Sequence, residues 1–147
     1  MQLVCNIYKE DPRVDPSSGD ANHAIRAASW YGHLKVIHRL LEDSRVDPSV
    51  ASNVAIQHAS QNGHLGVVDR LLEDSRVDPS AENNYAIRFA SLNDRLEIVD
   101  RLLQDPRVDP SADNNFAIQQ ASKNGHLEVV KRLLQDPRVQ HMDHQKQ

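Results

Sequence analysis

Asn124-Gly125-His126-Leu127-Glu128-Val129-Val130 returns as Asn62-Gly63-His64-Leu65 and, shortened, as Gly32-His33-Leu34. Glycine closes a helix in a left-handed conformation without a Cβ clash, so each copy marks the end of one helix and the start of another. A companion phrase, Asp-Pro/Ser-Arg-Val-Asp-Pro-Ser, begins at Asp11, Asp43, Asp74 and Asp105 and returns in part at Asp136, spaced by 32 and then by 31 residues. A fixed period of this size marks an array of stacked units rather than one central core.

The most regular unit serves as the template. Asn115 precedes Phe116-Ala117-Ile118 and is read as an N-cap, its side-chain oxygen accepting from free amides of the first turn. A first helix (helix A) then runs to Asn124-Gly125, with Ile118 and Ala121 on one face. A second (helix B) runs from about Leu127 to Gln135. Leu127, Val130 and Leu134 form its predicted buried stripe. Asp136-Pro137 ends it, because the residue before a proline is pushed out of the helical region.

The template transfers to Asn22, Ile25, Ala28, Gly32, Leu34, Ile37 and Leu41, to Asn53, Ile56, Ala59, Gly63, Leu65, Val68 and Leu72, and to Asn84, Ile87, Ala90, Leu96, Val99 and Leu103. The third of these units turns through Asn93-Asp94-Arg95, where Asn and Asp tolerate the left-handed conformation at some strain. All seven prolines fall in the connectors. The expected organisation is a partial repeat at 1–17, consisting of a second helix and connector, full repeats at 18–49, 50–80, 81–111 and 112–139, and a polar tail at 140–147. Helix B of the last repeat keeps its apolar pattern, so self-association or continuation of the array through uncapped ends is a further expectation.

The run Ala121-Ser122-Lys123-Asn124-Gly125-His126-Leu127-Glu128-Val129-Val130-Lys131-Arg132-Leu133-Leu134 closely resembles the helix A end, turn and helix B of ankyrin repeats. The resemblance covers nearly the whole chain. It implies an all-α, ankyrin-like helix-turn-helix solenoid. The period of 31 is shorter than the family's usual 33 or so, and the missing residues fall in the connector. Short connectors with little or no β-hairpin finger are therefore expected. Where the family opens helix A with Thr-Pro-Leu-His, this chain has His23-Ala24-Ile25-Arg26, Val54-Ala55-Ile56-Gln57, Tyr85-Ala86-Ile87-Arg88 and Phe116-Ala117-Ile118-Gln119. Arg39, Arg70, Arg101 and Arg132 replace a usual leucine, each four residues before an aspartate, and an i, i+4 pairing is expected of them.

Composition bounds the function. Lys and Arg number 17 against 21 Asp and Glu, a net charge of −4, which argues against a nucleic-acid or anionic-membrane binder. The single cysteine, Cys5, forms no internal disulfide, no zinc spacing is present, and neither a secretory leader nor a membrane-length apolar run occurs. An intracellular, cytoplasmic setting without cofactor or metal is expected.

Repeated columns argue against catalysis, which needs unique residues. Ser29, Ser60, Ser91 and Ser122 are a column with no His and Asp beside them at unique positions. His33, His64 and His126 recur at the turns and are read as bonding to nearby backbone, and His141-Met142-Asp143-His144 has only crude ligand spacing. Arg45, Arg76, Arg107 and Arg138 are read as a charge ladder between stacked connectors, not a phosphate stripe.

Binding is expected where the units differ. Trp30 and Tyr31, Gln61 and Asn62, Leu92 and Asn93, and Lys123 with Asn124 precede the turns, and Ala27, His58, Phe89 and Gln120 lie three residues upstream of each pair. Ankyrin-like geometry implies that these columns line the concave helix A face. The reading is a non-enzymatic module that contacts a protein partner through Trp30, Tyr31, His58, Gln61, Asn62, Phe89, Leu92, Asn93, Gln120 and Lys123. The alternative is a structural or spacer segment of a longer repeat protein.

Overall fold

A computed structural model describes residues 19–139 of the chain, with side chains from Ala21 onward. The expected partial repeat at 1–17 and tail at 140–147 lie outside the described residues. Eight α-helices follow in order: α1 Gly19–Tyr31, α2 Leu34–Leu41, α3 Val50–Asn62, α4 Leu65–Leu72, α5 Ala81–Leu92, α6 Leu96–Leu103, α7 Ala112–Lys123 and α8 Leu127–Leu134. No strand occurs among the described residues, so the short connectors form no β-finger there.

Each odd-numbered helix packs on the even-numbered helix that follows it and on the odd-numbered helices before and after it, giving a layer of A helices against a layer of B helices. Small and branched side chains fill the seam: Ile25, Ala28, Ile56, Ala59, Ile87, Ala90 and Ala121 from the A layer are at most 1% exposed. Alanine and serine on the facing A surfaces let neighbouring helices approach closely, while branched residues of the B helices close the interior. One apolar cluster runs through all four repeats, including Val46, Val77, Val108 and Val139 of the connectors. A single repeat buries too little apolar surface to offset its ordering entropy, so the shared faces hold the array together.

The A-to-B turns follow the glycine reading. Gly32, Gly63 and Gly125 have φ of 77°, 84° and 75°, and Asp94 takes the same place in the third repeat at φ 61°. The predicted stripe on helix B is one position out of phase in the last repeat. Val129 and Leu133 are buried there, whereas Leu127 is 67% exposed and Val130 and Leu134 are only partly covered. The same deeper column is Val36 and Leu40, Val67 and Leu71, and Ile98 and Leu102 in the earlier helices.

The start of helix A differs in kind from the expectation. Right-handed geometry does begin at Val54, Tyr85 and Phe116, but a turn of left-handed backbone precedes it: Ala51-Ser52-Asn53, Glu82-Asn83-Asn84 and Asp113-Asn114-Asn115 all have φ between 53° and 65°. Each turn closes on itself, the Asn53, Asn84 and Asn115 N–H groups donating to the Ser49, Ser80 and Ser111 carbonyls at 2.9 Å. Left-handed residues other than glycine cost roughly 1–2 kcal/mol each. Part of that cost is offset locally: Gln57 Nε2 donates to the Ser52 carbonyl at 2.7 Å, and Arg88 Nε donates to the Asn83 carbonyl at 2.9 Å.

The asparagines are therefore not N-caps of their own helices. Asn53 Oδ1 accepts from the Asp78 N–H and Asn84 Oδ1 from the Asp109 N–H, both at 2.8 Å, joining each A helix to the next connector. Asn115 Oδ1 is buried without a partner, and so is that of Asn22, which lies inside α1.

Candidate functional site

The connector face spends its charge on itself. Arg76 and Arg107 each grip the aspartate two residues earlier, with terminal contacts of 2.8 Å to Asp74 and Asp105, and Arg138 grips Asp136 at 2.7 Å. Each guanidinium also donates to the preceding connector, Arg76 to the Ser44 carbonyl and Arg107 to that of Val77, both at 3.2 Å, and Arg138 to that of Val108. The side-chain hydrogen bonds from these arginines hold the Asp74, Asp105 and Asp136 carboxyls below their usual range. The ladder predicted from the sequence is thus a strap between connectors.

The arginines of helix B form a second strap, which corrects the expected pairing four residues ahead. Arg101 donates to Asp69 at 2.9 Å, Arg132 to Asp100 at 2.7 Å, and Arg70 to His38 Nδ1 at 3.2 Å, each to a residue 32 positions back. The helix geometry places an arginine beside the same column of the neighbouring B helix, and that partner is reached directly.

The turn histidines also tie repeats together. The Nε2 atoms of His64 and His126 lie 2.9 Å from the main-chain carbonyls of Trp30 and Leu92, and Arg95 Nε, in the same column, donates to the Gln61 carbonyl at 3.2 Å. Asn62 Nδ2 reaches the same Trp30 carbonyl at 2.9 Å. Asn62 and Asn93, both in the predicted binding set, are therefore partly engaged in joining A helices; Asn93 Nδ2 donates to its own helix at the Phe89 carbonyl, at 3.0 Å, and to the Gln61 carbonyl at 3.4 Å.

What remains is the outward surface of the A layer. Trp30 is 39% and Tyr31 65% exposed, the two most exposed large aromatics among the described residues. The Trp30 ring meets the His58 imidazole edge-on at 4.9 Å, and Tyr31 stacks on His33 at 6.0 Å. Burial chiefly pushes the His58 pKa down; the main chain of Arg26 opposes this, and the like charge of the Arg26 side chain adds a smaller downward push.

A second aromatic group lies further along. Phe89 stacks on Tyr85 at 4.1 Å and meets Phe116 of the next repeat at 5.5 Å. The Arg88 guanidinium sits 5.1 to 5.9 Å from all three ring centres and bonds to Asp113 at 3.3 Å. The Tyr85 hydroxyl is 2.5 Å from Gln61 Oε1, linking this group to the second repeat.

Sequence reasoning had singled out Phe89 but missed Tyr85, Arg88 and Phe116. The signal was available: the column His23, Val54, Tyr85, Phe116 varies between repeats and lies one helical turn before Ala27, His58, Phe89 and Gln120. Leu92 and Gln120 are partly exposed and Lys123 is exposed. Trp30 and His58 meet directly, Gln61 and Phe89 are joined through Tyr85, and Asn93 reaches both Gln61 and Phe89.

A protein-family model described as ankyrin repeats (3 copies) matches residues 24–114 and 56–146 of the chain. No curated protein matches it.

Proposed function

Since the chain belongs to the ankyrin repeat family, whose members are generally protein-protein interaction modules, we propose that it is a non-enzymatic scaffold whose partner lies along the outward face of the A helices. The observation that carries this reading is the exposure of Trp30 and Tyr31 beside a second aromatic group at Tyr85, Phe89 and Phe116. Rigid aromatic side chains supply contact area at little entropic cost and dominate binding energy at interfaces. Arg76, Arg107 and Arg138 of the connectors and Arg70, Arg101 and Arg132 of the B helices, in contrast, reach neighbouring repeats. Trp30, Tyr31, His58, Gln61, Phe89, Leu92, Gln120 and Lys123 form the contact strip, and Asn62 and Asn93 support it from the turn. The strip lines the concave side of the array.

The cytoplasm is the setting we assign. It fits a single cysteine and described helices none of which is long and apolar enough to cross a membrane.

The test is affinity capture from cell extract with the full chain and with Trp30→Ala and Leu92→Ala variants. Trp30→Ala removes the ring and keeps the main-chain carbonyl that holds Asn62 and His64. Loss of specific partners from both variants supports the strip. Partner lists identical to those of the unaltered chain would instead assign it the role of a spacer within a longer repeat protein.

A further inference from the structure

The strip has a charge character of its own, opposite to that of the chain. Over residues 23–31, 54–62, 85–92 and 116–123 the A helices hold Arg26, Arg88 and Lys123 together with His23 and His58 and no carboxylate, although acidic residues outnumber basic ones in the chain by 21 to 17. The acidic side chains of the described repeats are placed elsewhere. Asp74, Asp105 and Asp136 bind connector arginines, Asp69 and Asp100 bind arginines of the B helices, and Asp47, Asp78 and Asp109 accept from connector serines. Three carboxylates of the described residues border the strip: Glu82 and Asp113 hold the same place on successive left-handed turns, Glu82 exposed and Asp113 held by Arg88, and Asp94, in the A-to-B turn, lies 3.7 Å from His126. Arg26 and Lys123 are exposed, and among the described residues the Arg26 side chain makes only a long hydrogen bond, 3.4 Å, to a carbonyl of its own helix.

Resting on the proposed use of the A-helix face, we infer that its partner is an acidic segment of another protein carrying a bulky apolar side chain. The apolar group seats against Trp30 or the Phe89 cluster, and carboxylates reach Arg26 and Lys123. Exclusion of like-signed groups from a surface sets partner choice and association rate through the complementarity of fields. Nucleic acid is disfavoured by the acidic excess of the whole chain, which repels a long phosphate backbone.

The test is selection of displayed random-sequence peptides on the immobilised full chain, followed by titration of the winners against the single tryptophan's fluorescence. Enriched peptides should combine net negative charge with an aromatic or large aliphatic residue. Their affinity should fall as salt is raised. Arg26→Glu and Lys123→Glu should each weaken binding about tenfold, and Arg26→Gln and Lys123→Gln less, at unchanged thermal stability. Enrichment of neutral or basic peptides that still depend on Trp30 and Leu92 would overturn the acidic partner while leaving the strip intact. Peptides indifferent to Trp30 and Leu92, or no enrichment, would overturn both. Displacement of the peptides by single-stranded RNA at physiological salt would overturn the inference in favour of nucleic acid.

Discussion

Asn84 Oδ1 accepts the main-chain N–H of Asp109 at 2.8 Å, so a residue in a left-handed turn at the head of one repeat holds the connector that leads into the next. The bond offsets part of the cost of the three strained residues before helix A. Reversing the backbone hand aims the asparagine across the repeat boundary, where it satisfies the part-buried N–H of Asp109.

A paired substitution isolates that bond. Asn84 and Asn115 share the same backbone, at φ 61° and 63°, and both are buried, but Asn115 Oδ1 has no partner among the described residues. Glycine relieves the same left-handed strain at either place and loosens the unfolded chain equally. Asn84→Gly is therefore expected to be less stable than Asn115→Gly by about 1 kcal/mol, the net worth of a hydrogen bond to a part-buried donor. Equal urea midpoints for the two variants would show that the bond contributes nothing.

The A-to-B turns permit a similar comparison. A Cβ on Gly125 meets nothing within 4 Å, whereas one on Gly32 comes to 2.4 Å from His64 Nδ1, on the ring that bonds to the Trp30 carbonyl. Both glycines have φ near +76°, at 75° and 77°. Gly125→Ala should cost only the left-handed penalty, about 1 kcal/mol. Gly32→Ala must also displace the imidazole and is expected to cost about 1 kcal/mol more, the worth of the hydrogen bond it breaks. Chemical unfolding of the two variants, followed by circular dichroism, measures the difference.

The period, the helix order and the turn glycines were readable because they depend on neighbours in the chain. The left-handed turns were not. Asn-Asn before an apolar helix reads equally as a cap and as a left-handed turn, and what decides is the N–H of Asp109, twenty-five residues away. The arginine partners were hidden for the same reason: Arg101 finds Asp69 across 32 residues, while a local rule can only offer an aspartate four ahead. Leu127 and Val130 were misjudged because the template assumed a neighbour on both sides: Ile37, Val68 and Val99, in the column of Val130, are fully buried in the earlier repeats, whereas no further repeat packs on α8 among the described residues. In the contact strip, Trp30 and Phe89 stood out as singletons, but the Arg88 guanidinium over three rings is a tertiary arrangement that no single helix encodes.

The connector strap carries a pH signature. The Asp105 carboxyl is held below its usual range first by the hydrogen bond from Arg107, so its folded pKa lies under its unfolded one. A depressed carboxylate contributes stability that is complete above the unfolded value, about 3.9, and is lost as pH falls through the folded one. Arg107→Ala should destabilise the array at pH 7, and its difference from the unaltered chain should shrink as pH falls below about 4. A difference that stays constant down to acid unfolding would assign the effect of Arg107 to its bond with the Val77 carbonyl alone.

His58 offers an optical test of the strip itself. Its ring is edge-on to Trp30 at 4.9 Å, its Nδ1 is buried without a partner, and burial is the main cause of its lowered pKa. Protonation would place a charge in a partly desolvated site near Arg26, so it is deferred to pH values below the ordinary histidine range near 6.5. Because an imidazolium quenches indole emission and Trp30 is the chain's sole tryptophan, the quenching midpoint reads this titration directly. The midpoint is expected below 6.5, to rise modestly in Arg26→Gln because the like charge is a lesser cause than burial, and to vanish in His58→Gln. Stability follows the same sign: the neutral imidazole is favoured by folding, so protection is complete above the unfolded pKa and declines as pH falls past it. A midpoint at or above 6.5 would mean that His58 is solvated or faces a carboxylate, and the Trp30–His58 contact at the centre of the proposed strip would have to be abandoned.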